Sequence, residues 1–325
     1  MTSTAKATLD RTSSTGTQEA PSQAPGIRMQ WHFSTPLVRV GEWQCVAGNG
    51  GLGEERSQPW HVIGFPLSGT YRLHRSRDSV LVDSNQIMFF NANVGYRTSH
   101  PHGFGDSGGS LVLRSDLLEE LLGGNASGRT PPSDQPFGRT HGPNTARAQL
   151  LVWLLLRRLR PTETLDPLDI EELAMRIGGE AVRCLVATAV PSSAGSRAHV
   201  QRLVCVERIK DHFAERFSSK SDLLELARVA DCSPFHLCRL FRLETGLSLS
   251  SYRTKLRLAA ALDRIEEDLA NLALELGFSS HSHFTESFRG LFGWTPSAVR
   301  QLSRLRRSHL RKELTRLLPP PPRLS

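Results

Sequence analysis

The 325-residue chain has no apolar run longer than the seven residues from Leu150 to Leu156, far short of the ~20 that a membrane-spanning helix needs. Its opening stretch, MTSTAKATLDRTSSTGTQEAPSQAPG, lacks the apolar core of a secretory signal, so a cytoplasmic location is expected. Cysteine is scarce: Cys45, Cys184, Cys205, Cys232 and Cys238 are odd in number and widely spaced, without a CxxC pair. That excludes a disulfide framework and the common paired-cysteine zinc sites, and it suits a reducing compartment. No compelling acid–base or nucleophile constellation stands out, so neither an enzyme nor a bound cofactor or metal is expected.

What is present begins with an uneven charge. Residues 199–325 carry 21 Lys+Arg against 14 Asp+Glu, whereas residues 1–198 carry 19 against 18. Nearly all of the net +8 therefore belongs to the C-terminal part, which points to a polyanionic partner for that part alone. With 38% hydrophobic residues the chain can bury a core, and its length suits two domains.

Residues 1–28, rich in Ser, Thr, Pro and Gly, read as a disordered tail. Residues 29–190 read as a cupin-like β-barrel followed by helices. Short apolar stretches such as HVIGFPL (61–67), TYRLHR (70–75), SVLVD (79–83), QIMFFN (86–91) and GSLVLR (109–114) are separated by turn residues. A Gly/Pro/Ser-rich loop is expected at 122–143 and helices at 145–160 and 166–189. The first of these is apolar nearly all round, which calls for burial either within the N-terminal domain or in a dimer interface; the interface is favoured, and the pair is assigned to dimerisation. Residues 191–198 read as a linker. From 199 to 303 the pattern is all-helical, with helices expected at 199–216, 223–230, 234–245, 249–267, 269–276, 281–291 and from 296 onward to 317. Residues 304–325 form a basic tail whose Arg306 is a candidate phosphate contact. The fold class is thus α+β, with a β-barrel and helical dimerisation segment ahead of an all-α domain.

Two segments of that domain share one plan. In DLLELARVADCSPFHLCRLFRLETG (222–246), Asp222 and Glu225 suit a capping box, Asp231-Cys232-Ser233 makes a turn, and Ser233-Pro234 starts a second helix ended by Gly246. Leu237, Leu240 and Phe241 form its inner stripe; Phe235, Cys238, Arg239 and Arg242 face away. In DLANLALELGFSSHSHFTESFRGLFGWTP (268–296), Asp268 caps, Gly277 turns, Phe278 plugs the core and Ser280 caps a helix with Phe284 and Phe288 inward. Each is a helix-turn-helix, whose second helix fits the DNA major groove with its N-terminal turn nearest the base edges. Arg239 can fork onto a guanine, and Phe235 can meet a thymine methyl. A connecting helix of ~18 residues would be about 27 Å long, which suits two readers in successive major grooves.

The stretches LARVADCSPFHLCRLFRLETGLSLSSY and LALELGFSSHSHFTESFRGLFGWTPSAVR resemble the DNA-binding domain of the AraC/XylS family of bacterial transcription regulators. The resemblance covers residues 203–303. It implies base contacts from Phe235, Cys238 and Arg239 in the first recognition helix and from His281, Ser282, Thr285 and Glu286 in the second. Cys238 stands where the family more often has a hydrogen-bonding residue, and Asp231 where it often has Gly. The DNA-facing set expected here is Pro234, Phe235, His236, Cys238, Arg239, Arg242, His281, Ser282, His283, Thr285, Glu286 and Arg289. The resemblance further implies a cytoplasmic, nucleoid-associated homodimer acting on double-stranded promoter DNA and RNA polymerase, away from membranes. A small-molecule effector in the N-terminal domain is left open.

Two other readings compete. One is a metal-dependent cupin enzyme fused to a DNA-binding domain, for which His100, His102 and Asp106 in GYRTSHPHGFGD, with His74 upstream, are the nearest to a ligand set. The simpler reading of these histidines is as loop or barrel-rim residues. The other is an architectural binder with equal affinity for all DNA, whereas a regulator prefers its own site by several kcal/mol. Cys232 and Cys238 read as small packing residues rather than oxidant sensors.

Overall fold

The computed structural model describes residues 26–46, 51–76, 78–123, 134–159, 166–187 and 197–304. The N-terminal tail up to residue 25, most of the linker, part of the Gly/Pro/Ser-rich loop and the basic tail from 305, Arg306 included, lie outside the described residues.

The first part of the chain is a β-unit of two antiparallel sheets. Strands β1 (Ile27–Ser34), β2 (Val38–Cys45), β3 (Val62–Ser68), β6 (Gln86–Phe90), β8 (Asp106–Leu113) and β9 (His141–Pro143) form a six-stranded sheet in the order β1-β2-β8-β3-β6-β9. Strands β4 (Tyr71–Arg75), β5 (Asp78–Val82) and β7 (Arg97–Ser99) form a second sheet in the order β5-β4-β7. The five strands read from apolar stretches are β3, β4, β5, β6 and β8.

The run in β6 does not alternate because both of its faces are covered. Met88 packs with Tyr71, Leu73 and Val82 between the sheets, while Ile87 and Phe89 face the helices. Helix α1 (Ser115–Leu121) follows β8, and α2 (Ala146–Leu159) and α3 (Pro167–Ala187) cover the outer face of the large sheet. Two adjacent glycines make this close approach possible. A Cβ on Gly108 would lie 2.3 Å from the Trp43 ring on one face, and a Cβ on Gly109 would lie 2.6 Å from Val152 of α2 on the other.

Helix α2 corrects the expectation of a dimer stripe. Every residue from Ala148 to Leu156 is buried within the single chain, with Leu151 at 2% and Leu155 at 4% exposure. Its all-round apolar surface is explained by partners on several sides: the large sheet, α3 and helices from the C-terminal region. A cavity lined by Val40, Phe65, Leu111, Val152, Leu155 and Ile177 lies beneath it, with room (10 Å³) for about one water-sized sphere.

The C-terminal region is all helical: α4 (Arg197–Arg216), α5 (Leu223–Ala230), α6 (Pro234–Thr245), α7 (Leu249–Asp263), α8 (Leu269–Glu275), α9 (His281–Phe292) and α10 (Pro296–Arg304). Helix α7 ends four residues earlier than expected, so it is about 22 Å long rather than 27 Å. Helices α4 to α6 and the first half of α7 close a core of their own around Ile209, Phe213, Leu237 and Phe241. The second unit does not: Phe284, Phe288, Val299 and Leu302 belong to one continuous core with α2, α3 and the large sheet.

A polar seam joins the two parts as well. Arg72 of β4 forks onto Glu207 (3.1 Å) and Asp211 (2.9 Å) of α4. Glu207 also accepts from the Leu81 amide (2.8 Å) and from Lys210 (2.9 Å). Lys210, 4% exposed, donates in turn to the Leu81 carbonyl. The Tyr252 hydroxyl of α7 donates to buried Asp83, and Lys255 donates to the Asn144 carbonyl (2.9 Å). Burial alone would raise the Glu207 carboxyl, but Lys210, the Leu81 amide and Arg72 outweigh it and hold it below its usual range. No helix among the described residues is long and apolar enough to cross a membrane.

Candidate nucleic-acid interface

Each helix-turn-helix is set by local caps. Asp222 accepts the Glu225 amide at 2.7 Å and starts α5. The capping box stops there, because the Glu225 carboxylate lies 3.9 Å from His212 Nε2 instead of turning back to the cap. Helix α5 ends at Asp231 with φ 55° and ψ 48°, the left-handed conformation that Asp adopts more readily than most non-glycine residues. Ser233 then accepts the His236 amide, and Pro234 occupies the first position of α6, whose preset φ suits it. Leu237, Leu240 and Phe241 point inward at 0–2% exposure, and Gly246 at φ 73° ends the helix.

The second unit repeats this. Asp268 accepts the Ala270 and Asn271 amides, and Ser280 accepts the His283 amide at 3.1 Å. Gly277 between them is required twice: its φ is +80°, and a Cβ would fall 1.9 Å from the Ser218 carbonyl oxygen. Phe278, Phe284 and Phe288 fill the interior at 0–4% exposure.

The outward faces of both second helices are uncovered by the rest of the described chain. On α6, His236, Cys238, Arg239 and Arg242 are exposed and Pro234 is half-buried. Phe235 is 82% exposed, so it is not a core residue. On α9, His281, Ser282, His283, Glu286 and Arg289 are exposed and Thr285 is half-buried. All twelve expected residues thus lie on these two helices, and ten of them are exposed. His283 has a local role too: its Nδ1 lies 3.0 Å from the Ser279 hydroxyl and its ring meets Phe278 edge-on. Burial, with Cys205 beside it, pushes the Cys232 thiol up, which fits a packing residue rather than a reactive one.

Sequence reasoning missed the residue that ties the two units together. Arg257 of α7 is 7% exposed. Its guanidinium donates to the carbonyls of Phe217 (2.7 Å), Ser218 (3.1 Å) and Ser219 (3.1 Å) at the end of α4, and to Gly277 (2.8 Å) in the second turn. Burial, helped by Arg253, lowers its pKa to about 10. A positive charge between Leu256 and Leu258, in a stretch that also carries the half-buried Arg253 and Arg264, carries no signal that separates it from a surface residue.

Of the histidines read as a ligand set, His100 bonds Asp106 at 2.6 Å, while His74 bonds Ser99 and His102 faces Asp211 and Glu215 of α4. The structure divides them.

Residues 226–302 match the family described as Helix-turn-helix domain. The transcriptional activator RhaS of Enterobacter sp. (strain 638) is 34% identical over 96 residues, 29% of this chain and 33% of that protein. The chain thus aligns with about a third of the length of that relative. The probable transcriptional regulator LumQ of Photobacterium leiognathi is 25% identical over 251 residues, 75% of this chain and 92% of that protein. Among solved structures, ToxT from Vibrio cholerae O395 covers 81% of this chain and 97% of its own at 10% identity and a TM-score of 0.34. So loose a superposition carries no statement about ligands.

Proposed function

We propose, from a C-terminal region that matches the helix-turn-helix domain family and resembles the AraC/XylS regulators, that this chain binds double-stranded promoter DNA sequence-specifically and regulates transcription there. The observation that carries the reading is the pair of capped helices, α6 and α9, whose outward faces are exposed while their inward faces are locked in core. A helix so presented enters the major groove with its N-terminal turn against base edges and its amide ends near phosphate.

In this reading Phe235, Cys238 and Arg239 read one half of the operator, and His281, Ser282, Thr285 and Glu286 read the other. Arg242 and Arg289 sit further along the two helices, placed for phosphates. A second copy of the chain and RNA polymerase are the protein partners it expects. The N-terminal β-unit is proposed to act on binding through its seam with α4 and α7.

The test is a selection over randomised duplexes with the full chain. A regulator returns a defined two-part site preferred by ~4–10 kcal/mol over random DNA. Uniform affinity for all sequences would overturn the reading in favour of an architectural binder. In either case affinity falls steeply with salt as phosphate counterions are released.

A further inference from the structure

We propose that Cys45, His100 and Asp106 form a zinc-binding site at one end of the β-unit, separate from the DNA-facing helices. Cys45 is the last residue of β2 and Asp106 the first of β8, and the two are direct partners in the antiparallel ladder. Opposed residues of such a pair project to the same face, so the sheet itself holds the thiol and the carboxylate side by side. His100 comes from the turn that follows β7, a strand of the other sheet. The three ligand atoms all lie within 4.8 Å of one another. The three residues are 7%, 9% and 7% exposed.

Two features prepare the carboxylate. Trp43 donates from Nε1 to Asp106 Oδ1 at 2.7 Å, leaving Oδ2 toward His100. An outer hydrogen bond of this kind is the usual means of aiming a ligating carboxylate. The backbone beneath is fixed as well, since Gly69 at φ +73° packs so tightly that a Cβ would fall 2.0 Å from the Gly105 carbonyl oxygen.

A thiolate, an imidazole and a carboxylate together suit zinc, with a water completing the tetrahedron. Bonds of ~2.0–2.3 Å in that geometry place donor atoms roughly 3.3–3.8 Å apart. His100 Nε2 and Asp106 Oδ2, now 2.6 Å apart, need to part by about 0.7 Å for this, within reach of side-chain rotation. Zinc would then pin the two sheets together at this end. The same turn carries His102, which reaches Asp211 and Glu215 of α4, so the pinned turn abuts the helical region.

The test strips the full-length chain with chelator and dialyses it against zinc chloride, with elemental analysis as the readout. About one zinc per chain is expected, with the affinity lowered tenfold or more by Cys45→Ser or Asp106→Asn and about tenfold by Trp43→Phe. His102→Gln should leave it unchanged. Cobalt should give a thiolate charge-transfer absorption in the wild-type chain. The same band should persist in a chain carrying Cys184→Ala, Cys205→Ala, Cys232→Ala and Cys238→Ala, in which Cys45 is the sole thiol. Absence of retained zinc, unchanged affinity in Cys45→Ser, or a cobalt spectrum without the thiolate band overturns the proposal. Should Cys45→Ser fail to fold, the cobalt spectrum of the sole-thiol chain decides.

Discussion

Replacing Arg257 should do more than cost stability; it should loosen the spacing between the two recognition helices. Its guanidinium bonds four carbonyls drawn from the end of α4 and from the Gly277 turn. Hydrogen bonds to a charged group are worth ~1.5–3 kcal/mol each, so even the low end gives a gross contribution of about 6 kcal/mol. Burial works against this. A pKa brought from 12.5 to about 10 corresponds to ~3 kcal/mol held against the charged form, at 1.36 kcal/mol per unit. The net expectation for Arg257→Met is therefore a loss of about 3 kcal/mol in urea unfolding at unchanged m-value. Arg257→Lys keeps the charge but not the fork, and a point ammonium cannot span both attachment sites, so roughly half that loss is expected. The specific readout is spacing. Wild type should lose most of its affinity when one base pair is inserted between the two half-sites, and Arg257→Lys should lose clearly less. A stability change under 1 kcal/mol in Arg257→Met, or equal spacing sensitivity in Arg257→Lys, would refute the argument that this residue sets the geometry.

Leu151→Glu and Leu155→Glu, placed in α2, should unfold the chain rather than release a folded monomer, since each buries an unpaired carboxylate; circular dichroism and sizing will tell. Arg239→Ala should cost ~1–3 kcal/mol and relax preference at one or two base pairs, with His281→Ala relaxing the other half by less, both read by selection over randomised sites. If Arg239→Ala weakens all sequences alike, that side chain is a phosphate contact. A fragment beginning at Arg197 should melt well below the full chain and bind ANS, because it uncovers the faces of α9 and α10 that α2 occupies; equal melting temperatures would contradict the shared core. Burial, with Lys210 nearby, lowers the His141 pKa from 6.5 to about 4. The unfolded chain then binds the extra proton first, so stability is full above pH ~6.5 and falls by ~3 kcal/mol toward pH 4. His141→Gln should flatten that part of the urea-midpoint profile.

Which features could be read ahead of the structure follows from the range of the interactions that create them. The bounds of α5 and α6 were legible to the residue because Asp222, Ser233, Pro234 and Gly246 act on backbone groups within three or four positions of themselves. The exposed faces of α6 and α9 followed from the period of the helix. Helix α7 was overrun because Ile265, fully buried, continues the apolar period of Leu258 and Leu262 although a turn, not the helix, delivers it; Arg264 pairs with Glu267 and Glu275 there. Strands β1, β2, β7 and β9 and helix α1 went unread, because short or half-exposed elements owe their existence to the neighbour across the ladder.

The largest miss concerned where one domain stops. Composition marks a boundary near residue 191, and the charge count supports it, yet the core is cut elsewhere. The first helix-turn-helix closes on itself around Phe213 and Phe241, whereas the second completes its interior with α2. A stripe such as Leu150–Leu156 states that a helix must be covered and not by what; the same residues fit a second copy of the chain or a distant part of this one. Here the cover is a reading unit, so the two recognition helices differ in kind. The position of α6 is set within its own subdomain and by Arg257, while α9 rests partly on the N-terminal β-unit. Strain passed through α2 therefore reaches α9 directly, whereas strain passed through the Glu207–Lys210–Leu81 seam enters α4 and the core that holds α6.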